Sequence, residues 1–268
     1  MSDAILQVGE LISSPTAANT AVWDRLWKHQ HSDAKDDALL AREKLSRRWA
    51  LIVKHVKETF GSFEGLTAVE LGSGRGDLSV LLARRGVRVT LLDASDKALE
   101  QARLRFDRLG IDAEFIQGDM LAALHDVHGR FDLSLSSGVI EHFEDEDRTR
   151  VIRAHYDVLT PGGLCVISVP NAWCIPYRAR KWYQELRGWW PYGFELPYKK
   201  PELVRRAKVA GFARTEARYV RFNLSLPGRS ACDHPAVSGH GMLGRRKSSC
   251  LFDTFTGLVL LFFGWRSS

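Results

Sequence analysis

The sequence predicts an α/β fold in which helices cover both faces of an open, mostly parallel sheet. From Leu66 onward, short apolar runs of strand length alternate with segments of helical periodicity. Glycine, aspartate, serine and proline residues separate these segments. Strands that alternate with helices are joined by right-handed crossovers, which place a parallel sheet between two helical layers.

The predicted elements follow one another in a regular order. The strands of the first part are Thr67–Leu71, Val87–Leu92, Ala113–Gln117, Phe131–Ser136 and Leu164–Val169. The helices between them are Asp77–Arg85, Asp96–Leu109 and Asp147–Leu159, the last closed by Pro161-Gly162-Gly163. Farther along, we predict a helix over Pro201–Ala210, a strand over Thr215–Phe222, and a final buried strand over Leu258–Trp265 rather than a short apolar helix.

The chain has room for one sizeable domain with additions. Its 268 residues are too few for two full domains, and 45% hydrophobic with 26% charged residues is typical of folded proteins. Apolar residues at helical spacing, first at Trp23 and Trp27 and then over 38–60, predict helices before the sheet begins. We therefore predict an N-terminal helical cap over 1–60 and a main domain over 61–268.

Charge and composition argue against several classes of protein. The net charge of +6 is spread over short clusters, which favours a solvated surface over a nucleic-acid-binding arm. The apolar run over 258–263 is too short to span a membrane, and the polar stretch over 227–249 predicts a long loop. The first residues lack a secretory signal and the four cysteines show no CxxC spacing, so we expect a cytoplasmic protein with reduced thiols.

A glycine-rich turn follows the first predicted strand, in the segment Glu70-Leu71-Gly72-Ser73-Gly74-Arg75-Gly76. Residues without side chains let backbone N–H groups approach a ligand closely where a helix begins. The glycine spacing is one residue shorter than the G-x-G-x-x-G turn of dinucleotide-binding proteins, and an acid, Glu70, precedes it. The turn alone leaves NAD in contention but favours a ligand without phosphates.

Acidic residues at the ends of the next two predicted strands favour a nucleoside ligand. Asp93 ends the second strand, where a carboxylate can accept both hydroxyls of a ribose; a surface cap is its alternative role. Asp119 ends the third strand and is placed to accept a hydrogen bond from an adenine amino group, or else it only closes a turn. Met120 then flanks the adenine ring, unless it packs in the core.

Taken in order, these motifs resemble those of the class I S-adenosylmethionine-dependent methyltransferases. The fourth-strand motif, from Phe131 to His142, is similar to that of the branch that methylates small molecules such as ubiquinone precursors. The matching segments cover about residues 66–170 and are, in order, 69–76, 91–93, 118–120, 131–142 and 159–169.

The resemblance implies a Rossmann-like three-layer sandwich with a seven-stranded, mostly parallel sheet, and S-adenosyl-L-methionine as the cofactor. It implies that the glycine turn lines the methionine part, that Asp93 holds the ribose and Asp119 the adenine, and that Ser136 and Ser137 form the rim beside the sulfonium. The cofactor-binding residues predicted in this way are Glu70, Gly72, Ser73, Gly74, Gly76, Asp93, Ala94, Asp119, Met120 and Ser136.

Glu141 and His142 follow the fourth predicted strand, on the expected acceptor side. Methyl transfer is an in-line displacement that relies on positioning, and an acceptor hydroxyl or protonated amine must also lose a proton. We nominate His142 and Glu141 as catalytic residues, with His142 as general base; the alternative is a structural imidazole bonded to the backbone. An aromatic insertion over about 171–200 suggests an apolar or ring-containing acceptor.

The leading hypothesis is therefore an enzyme that methylates a small molecule at O or N. An RNA methyltransferase, a non-catalytic cofactor-binding protein and an NAD-dependent enzyme are the alternatives. We expect no metal, because the histidines lack ligand spacing and the Cys232-Asp233-His234 cluster is interpreted as chance. We also expect no nucleic-acid partner and no stable membrane insertion. The sequence leaves the acceptor, the methylated atom and the oligomeric state open.

Overall fold

The computed structural model describes residues 22–28, 32–122, 127–220 and 258–267. The strands are β1 (Thr67–Leu71), β2 (Arg88–Asp93), β3 (Glu114–Gln117), β4 (Phe131–Ser137), β5 (Leu159–Pro170), β6 (Arg214–Val220) and β7 (Val259–Trp265). Together they form one seven-stranded sheet in the order β3-β2-β1-β4-β5-β7-β6.

The direction of the strands confirms the predicted α/β fold with a mostly parallel sheet. Strands β1 to β5 pair in parallel, whereas β7 lies antiparallel between β5 and β6. The chain builds outward from β1 to β3 and then returns to add β4 on the other side of β1. The strand order therefore reverses between β1 and β4, which is where sheets of this kind bind ligands.

Helices flank the sheet in sequence order. They are α1 (Asp33–Lys44), α2 (Arg47–Phe60), α3 (Asp77–Ala83), α4 (Asp96–Leu109), α5 (Asp147–Asp157), α6 (Ile175–Leu186) and α7 (Lys200–Val209), with a 3₁₀ turn at Ile140–His142. Residues 22–26 are also helical. Helix α4 shows why its bounds were predictable, because the Ser95 hydroxyl accepts the Ala98 N–H at its start and Gly110 ends it in the left-handed conformation.

Two apolar clusters lie on opposite faces of the sheet and complete the three layers. Helices α2, α3 and α4 pack on one cluster, which contains Leu91 and Phe263. Helices α5 and α7 pack on the other cluster, which contains Leu92 and Phe262. Neighbouring residues of one strand thus serve opposite cores, as the alternation of side chains along a strand requires.

The predicted start of the fifth strand was wrong. Helix α5 ends at Asp157 and β5 already begins at Leu159, so Pro161-Gly162-Gly163 lies inside the strand rather than in a turn before it. Pairing with β4 shifts in register here, from Phe131↔Leu159 to Leu133↔Leu164. The backbone of Arg266 supplies hydrogen-bond partners to Gly162 and Gly163, and the bulged segment therefore stays in the sheet.

The helices before the sheet and the last strand lie where the sequence predicts them. The helical segment predicted over 38–60 is two helices that break at Leu45 and Ser46, and Leu258–Trp265 contains the strand β7. The loop predicted over 227–249 lies outside the described residues. No helix in the described part of the chain is long and apolar enough to cross a membrane. The division into a cap over 1–60 and a domain over 61–268 stays a prediction.

Candidate functional site

A cavity of about 280 Å³ opens at the carboxyl ends of β1, β2, β3 and β4, at the reversal of strand order. The predicted site residues that line it are Glu70, Gly72, Ser73, Gly74, Asp93, Ala94, Asp119, Met120 and His142. Segments far apart in sequence are thus brought to one place, because the carboxyl ends of parallel strands share one edge of the sheet.

The glycine turn packs so closely that side chains have no room at Gly72, Gly74 and Gly76, and the first two of these line the cavity. Gly72 has φ +66°, and a Cβ atom there would lie 2.7 Å from Val139 Cγ2. Gly74 has φ +53°, and its Cβ would lie 2.9 Å from Trp27 Cζ2. The turn is anchored to β2, because the N–H groups of Gly72 and Ser73 both donate to the Leu92 carbonyl.

Asp93 joins the turn to the end of β2. One carboxylate oxygen accepts the Gly74 N–H at 2.7 Å, and the other accepts the Ser95 N–H at 2.9 Å. Burial raises the pKa of Asp93, and these two hydrogen bonds oppose that shift by stabilising the ionised form. The carboxylate therefore helps to hold the glycine turn, besides facing the cavity.

An acidic side chain, Glu70, and a basic one, Arg48, lie beside the turn. Glu70 Oε2 accepts the Ser79 hydroxyl at 2.6 Å and the Ser79 N–H at 3.1 Å, while burial raises the pKa of Glu70 to about 7. Arg48, on α2, donates to Glu43 at 2.8 Å and to Ser137 at 2.5 Å. Arg48 was not predicted as a site residue, because nothing in its helix distinguishes it from the neighbouring Arg47.

Asp119 and Met120 form the wall at the end of β3. Asp119 Oδ1 accepts the Leu121 N–H at 2.9 Å, so this residue closes a turn and also lines the cavity. Met120 is buried in the core cluster and lines the cavity as well. The two roles that the sequence left as alternatives are therefore compatible at both positions.

His142 lies on the opposite wall, in the 3₁₀ turn after β4. Its Nδ1 lies 2.5 Å from the Phe194 carbonyl, and Trp23 meets the ring edge-on with centroids 5.0 Å apart. A carbonyl only accepts, so Nδ1 carries the proton and the neutral ring keeps its basic nitrogen at Nε2. Burial lowers the pKa of His142, which favours this neutral form.

Three predicted site residues do not line the cavity. Gly76 is the N-cap residue just before α3, and a Cβ there would lie 2.5 Å from Leu91 Cδ2 in the core. The Ser136 hydroxyl contacts the buried ring of His155 at 2.9 Å, and its neighbour Ser137 lines the cavity instead. The physical reason at Ser136 is that side chains alternate along β4, so that Ser136 and Ser137 point to opposite faces of the sheet.

Glu141 is the third of these residues and is buried behind the cavity wall. Burial raises its pKa to about 8, the neighbouring Glu195 adds to the shift, and Arg148 opposes it. Its Oε2 atom makes no hydrogen bond to the described residues. The side chain is therefore mostly protonated near pH 7, and a protonated carboxyl group does not accept a proton from a substrate.

Residues ahead of α1, in the segment predicted as a helical cap, lie over the cavity. Trp23 and Trp27 both line it, and the Ser95 hydroxyl donates to Asp24 at 2.5 Å. Tyr192, from the aromatic insertion, lies 6.3 Å from Trp23 between ring centroids. The described residues hold no group of three or more His, Cys, Asp or Glu side chains that is arranged for a metal. The Cys232-Asp233-His234 cluster lies outside them.

Comparison with known proteins places this geometry in a family. A family model described as a methyltransferase domain matches residues 68–163. A ubiquinone biosynthesis O-methyltransferase of Paramagnetospirillum magneticum is 31% identical over 186 residues, which cover 65% of this chain and 70% of that protein. The protein of the same name from Caulobacter vibrioides is 35% identical over 109 residues, which cover 41% of this chain and 42% of the relative.

The chain thus spans about half the length, or less, of the first relatives that it matches. Among solved structures, a methyltransferase of Thermotoga maritima described as S-adenosylmethionine-dependent, possibly acting on histamine, aligns with a TM-score of 0.61. That alignment covers 93% of this chain and all of the other at 18% identity, so it supports the fold alone. From the fold, the cavity and the relative matched over 70% of its length, this chain belongs to the class I S-adenosylmethionine-dependent methyltransferases.

Proposed function

We propose that this chain transfers the methyl group of S-adenosyl-L-methionine to an oxygen or nitrogen atom of a small, apolar or ring-containing molecule. One observation carries the proposal: a glycine turn, two strand-end aspartates and a neutral histidine line a single cavity at the reversal of strand order. The glycine turn and the two aspartates suit the methyl donor, and the histidine suits the acceptor.

The lining residues fit the parts of the cofactor. Glu70 and Arg48 line the cavity beside the turn at Gly72 and Gly74, and their carboxyl and guanidinium groups match the ammonium and carboxylate of the methionine part. The buried Ser73 hydroxyl has no hydrogen-bond partner among the described residues, which is costly unless a polar ligand satisfies it. Asp93 would hold the ribose hydroxyls, and Asp119 with Met120 the adenine.

The donor supplies an electrophilic methyl group on a sulfonium, and S-adenosylhomocysteine is left when the acceptor takes that methyl. The contribution of the chain is to position the acceptor and to accept its proton. His142 is oriented by the Phe194 carbonyl and by Trp23, and its lowered pKa keeps Nε2 available as a base near pH 7. The proton that the acceptor loses passes to this nitrogen and then to solvent.

The acceptor side of the cavity favours a ring with an apolar surround. Trp23, Val139 and Phe143 line the cavity next to His142. The relatives from Caulobacter vibrioides and Paramagnetospirillum magneticum are named as O-methyltransferases of ubiquinone biosynthesis. We therefore propose a phenolic oxygen as the acceptor atom to be tested first. The helices before the sheet, with Trp23 and Trp27, act as a cap over the bound molecules in this proposal.

Titration calorimetry with S-adenosylhomocysteine tests the donor site. Asp93→Asn should weaken binding by about 1–3 kcal/mol, roughly 5- to 150-fold in Kd, because a charged acceptor is lost. Asp132→Asn is the matched control, since Asp132 also accepts a backbone N–H, from Thr67 at 2.8 Å, but at the far end of the sheet. Equal affinity in wild type and Asp93→Asn would remove Asp93 from the donor site.

Release of S-adenosylhomocysteine with a panel of phenols and amines tests the acceptor side. His142→Ala should lower kcat by about 10²- to 10⁴-fold, the usual contribution of a general base, while the affinity for S-adenosylhomocysteine changes little. A variant that keeps the wild-type kcat would assign His142 a structural role. No turnover with any acceptor, despite tight S-adenosylhomocysteine binding, would point to a non-catalytic protein.

A further inference from the structure

Helix α6 packs on the protein through its polar face. Tyr177, Lys181 and Gln184 are spaced so that they share one face of the helix, and they are its least exposed residues. The Tyr177 hydroxyl donates to Glu195, and the Lys181 ammonium lies 4.6 Å from the centre of the Trp190 ring. In a helix packed on a core these positions would be apolar.

The apolar stripe of α6 faces outward instead. Ile175, Ala179, Trp182 and Leu186 follow the same spacing on the other side of the helix. Large apolar side chains here and just after the helix are mostly exposed: Ile175 63%, Trp182 66%, Leu186 69% and Trp189 60%. No residue of α6 is buried. We call Ile175, Ala179, Trp182, Leu186 and Trp189 the α6 stripe. A contiguous group of exposed apolar side chains of this kind marks an interaction surface.

The charges that flank the α6 stripe are positive. Arg178, Arg180 and Arg187 are exposed on either side of it. The Arg187 guanidinium lies 5.6 Å and 5.2 Å from the ring centres of Tyr183 and Trp189. The one acid of the helix, Glu185, is paired with Lys181. Along this helix the surface thus combines tryptophan, aliphatic and arginine side chains, with Glu185 as its one acid.

We infer that the α6 stripe binds the surface of a lipid bilayer that contains anionic lipids. Aromatic and aliphatic side chains enter the boundary between headgroups and acyl chains, while arginines pair with the anionic headgroups. At 12 residues the helix is about 18 Å long, which suits a position in the plane of the interface and not a span. A second copy of the chain fits less well, because a two-fold pairing of the stripe would bring the arginines of both copies together.

The inner face of α6 leads to the cavity. Trp190, which contacts Lys181, also packs edge-on against Tyr192 at 5.2 Å, and Tyr192 lies beside Trp23 on the cavity wall. Docking through α6 therefore places the acceptor side of the cavity near the membrane surface. This part of the inference rests on the proposed function, whereas lipid binding itself does not.

Flotation of the full chain with vesicles tests the inference without cofactor or acceptor. Wild type should float with vesicles of phosphatidylcholine mixed with phosphatidylglycerol, and more weakly with phosphatidylcholine alone. Trp182→Gln with Leu186→Gln should lower the partition coefficient by about tenfold or more, because two apolar side chains no longer enter the interface. Arg180→Glu with Arg187→Glu should abolish the preference for anionic vesicles. Leu104→Gln, at an exposed leucine of α4, is the matched control.

All of these residues are exposed, so the variants should keep the wild-type thermal unfolding transition, which is measured alongside. Failure of wild type to float with anionic vesicles would overturn the inference, as would flotation that the α6 variants leave unchanged. Sedimentation analysis tests whether a second copy of the chain binds the stripe instead. A dimer that dissociates in Trp182→Gln with Leu186→Gln would assign the α6 stripe to that second copy. None of these results depends on methyl transfer, so the proposed function is tested separately.

Discussion

Replacing Gly72 by alanine tests whether the glycine turn is fixed by close packing against the chain after β4. The new Cβ would lie 2.7 Å from Val139 Cγ2 and 2.8 Å from Val139 Cγ1, and the residue would keep a φ of +66°. Two separate costs follow, one from overlap with the valine methyl groups and one from the left-handed backbone. A second substitution, Val139→Ala, removes the overlapping methyl groups and leaves the backbone cost in place.

The expected magnitudes separate these two costs. Overpacking costs about 1–3 kcal/mol. The left-handed backbone costs a further 1–2 kcal/mol or so. Gly72→Ala should therefore lower the free energy of unfolding by about 2–5 kcal/mol. Gly61→Ala is the matched control for the backbone cost alone, because Gly61 has φ +77° with nothing within 4 Å of its Cβ position. The double variant should recover about 1–3 kcal/mol relative to the sum of the single changes.

Urea unfolding of wild type, the two single variants and the double variant provides the measurement, with S-adenosylhomocysteine affinity as a second readout. Gly72 and Val139 both line the cavity, so the affinity should fall in Gly72→Ala and partly return in the double variant. Strictly additive single costs would refute the packing argument, since they would show that residues 72 and 139 do not constrain each other. A cost in Gly72→Ala no larger than in Gly61→Ala would refute it as well.

Three further predictions concern stability and are measured by chemical denaturation. The pKa of Glu141 is raised from 4.5 to about 8, so its stabilising contribution is complete below pH 4.5 and is lost as the pH rises through 8. In Glu141→Gln the free energy of unfolding should therefore fall less steeply with pH over this range, by up to about 1.4 kcal/mol per pH unit. The same pH dependence in wild type and variant would contradict the raised pKa of Glu141. Asp36 is buried with Arg75, Arg105 and Arg108, so Asp36→Asn should cost about 3–5 kcal/mol, while the same change at exposed Asp33 should cost less than about 1 kcal/mol. Ser95→Ala should cost about 0.5–2 kcal/mol, because the Ala98 N–H at the start of α4 loses its acceptor; no loss would show that the cap is dispensable.

The donor side of the site was predictable because its signals are local. Strand ends, the glycine turn and the aspartates at the ends of β2 and β3 each lie within a few residues of the element that positions them. Parallel pairing then brings them together without further information. The position of His142 was predictable in the same way, since it lies shortly after β4. Its orientation was not, because the carbonyl of Phe194 that orients the ring comes from a segment 52 residues away.

The residues that were missed depend on contacts between distant segments. Arg48 reaches Ser137 across 89 residues, and Trp27 meets Gly74 through the packing of the segment before α1. The bulged segment of β5 pairs with Arg266, which comes from the far end of the described chain. Periodicity identifies an amphipathic helix in α6, yet it cannot say which face is outward; there the polar face turned out to be the one packed on the protein.

Calorimetry with S-adenosylhomocysteine and with NAD tests the central claim most directly, because the two ligands were both compatible with the glycine turn taken alone. We expect that wild type binds S-adenosylhomocysteine at one site per chain, and that Asp93→Asn weakens this binding while Asp132→Asn does not. We also expect no measurable binding of NAD. Tight NAD binding, or a folded chain that fails to bind S-adenosylhomocysteine, would contradict the assignment of this cavity to S-adenosyl-L-methionine.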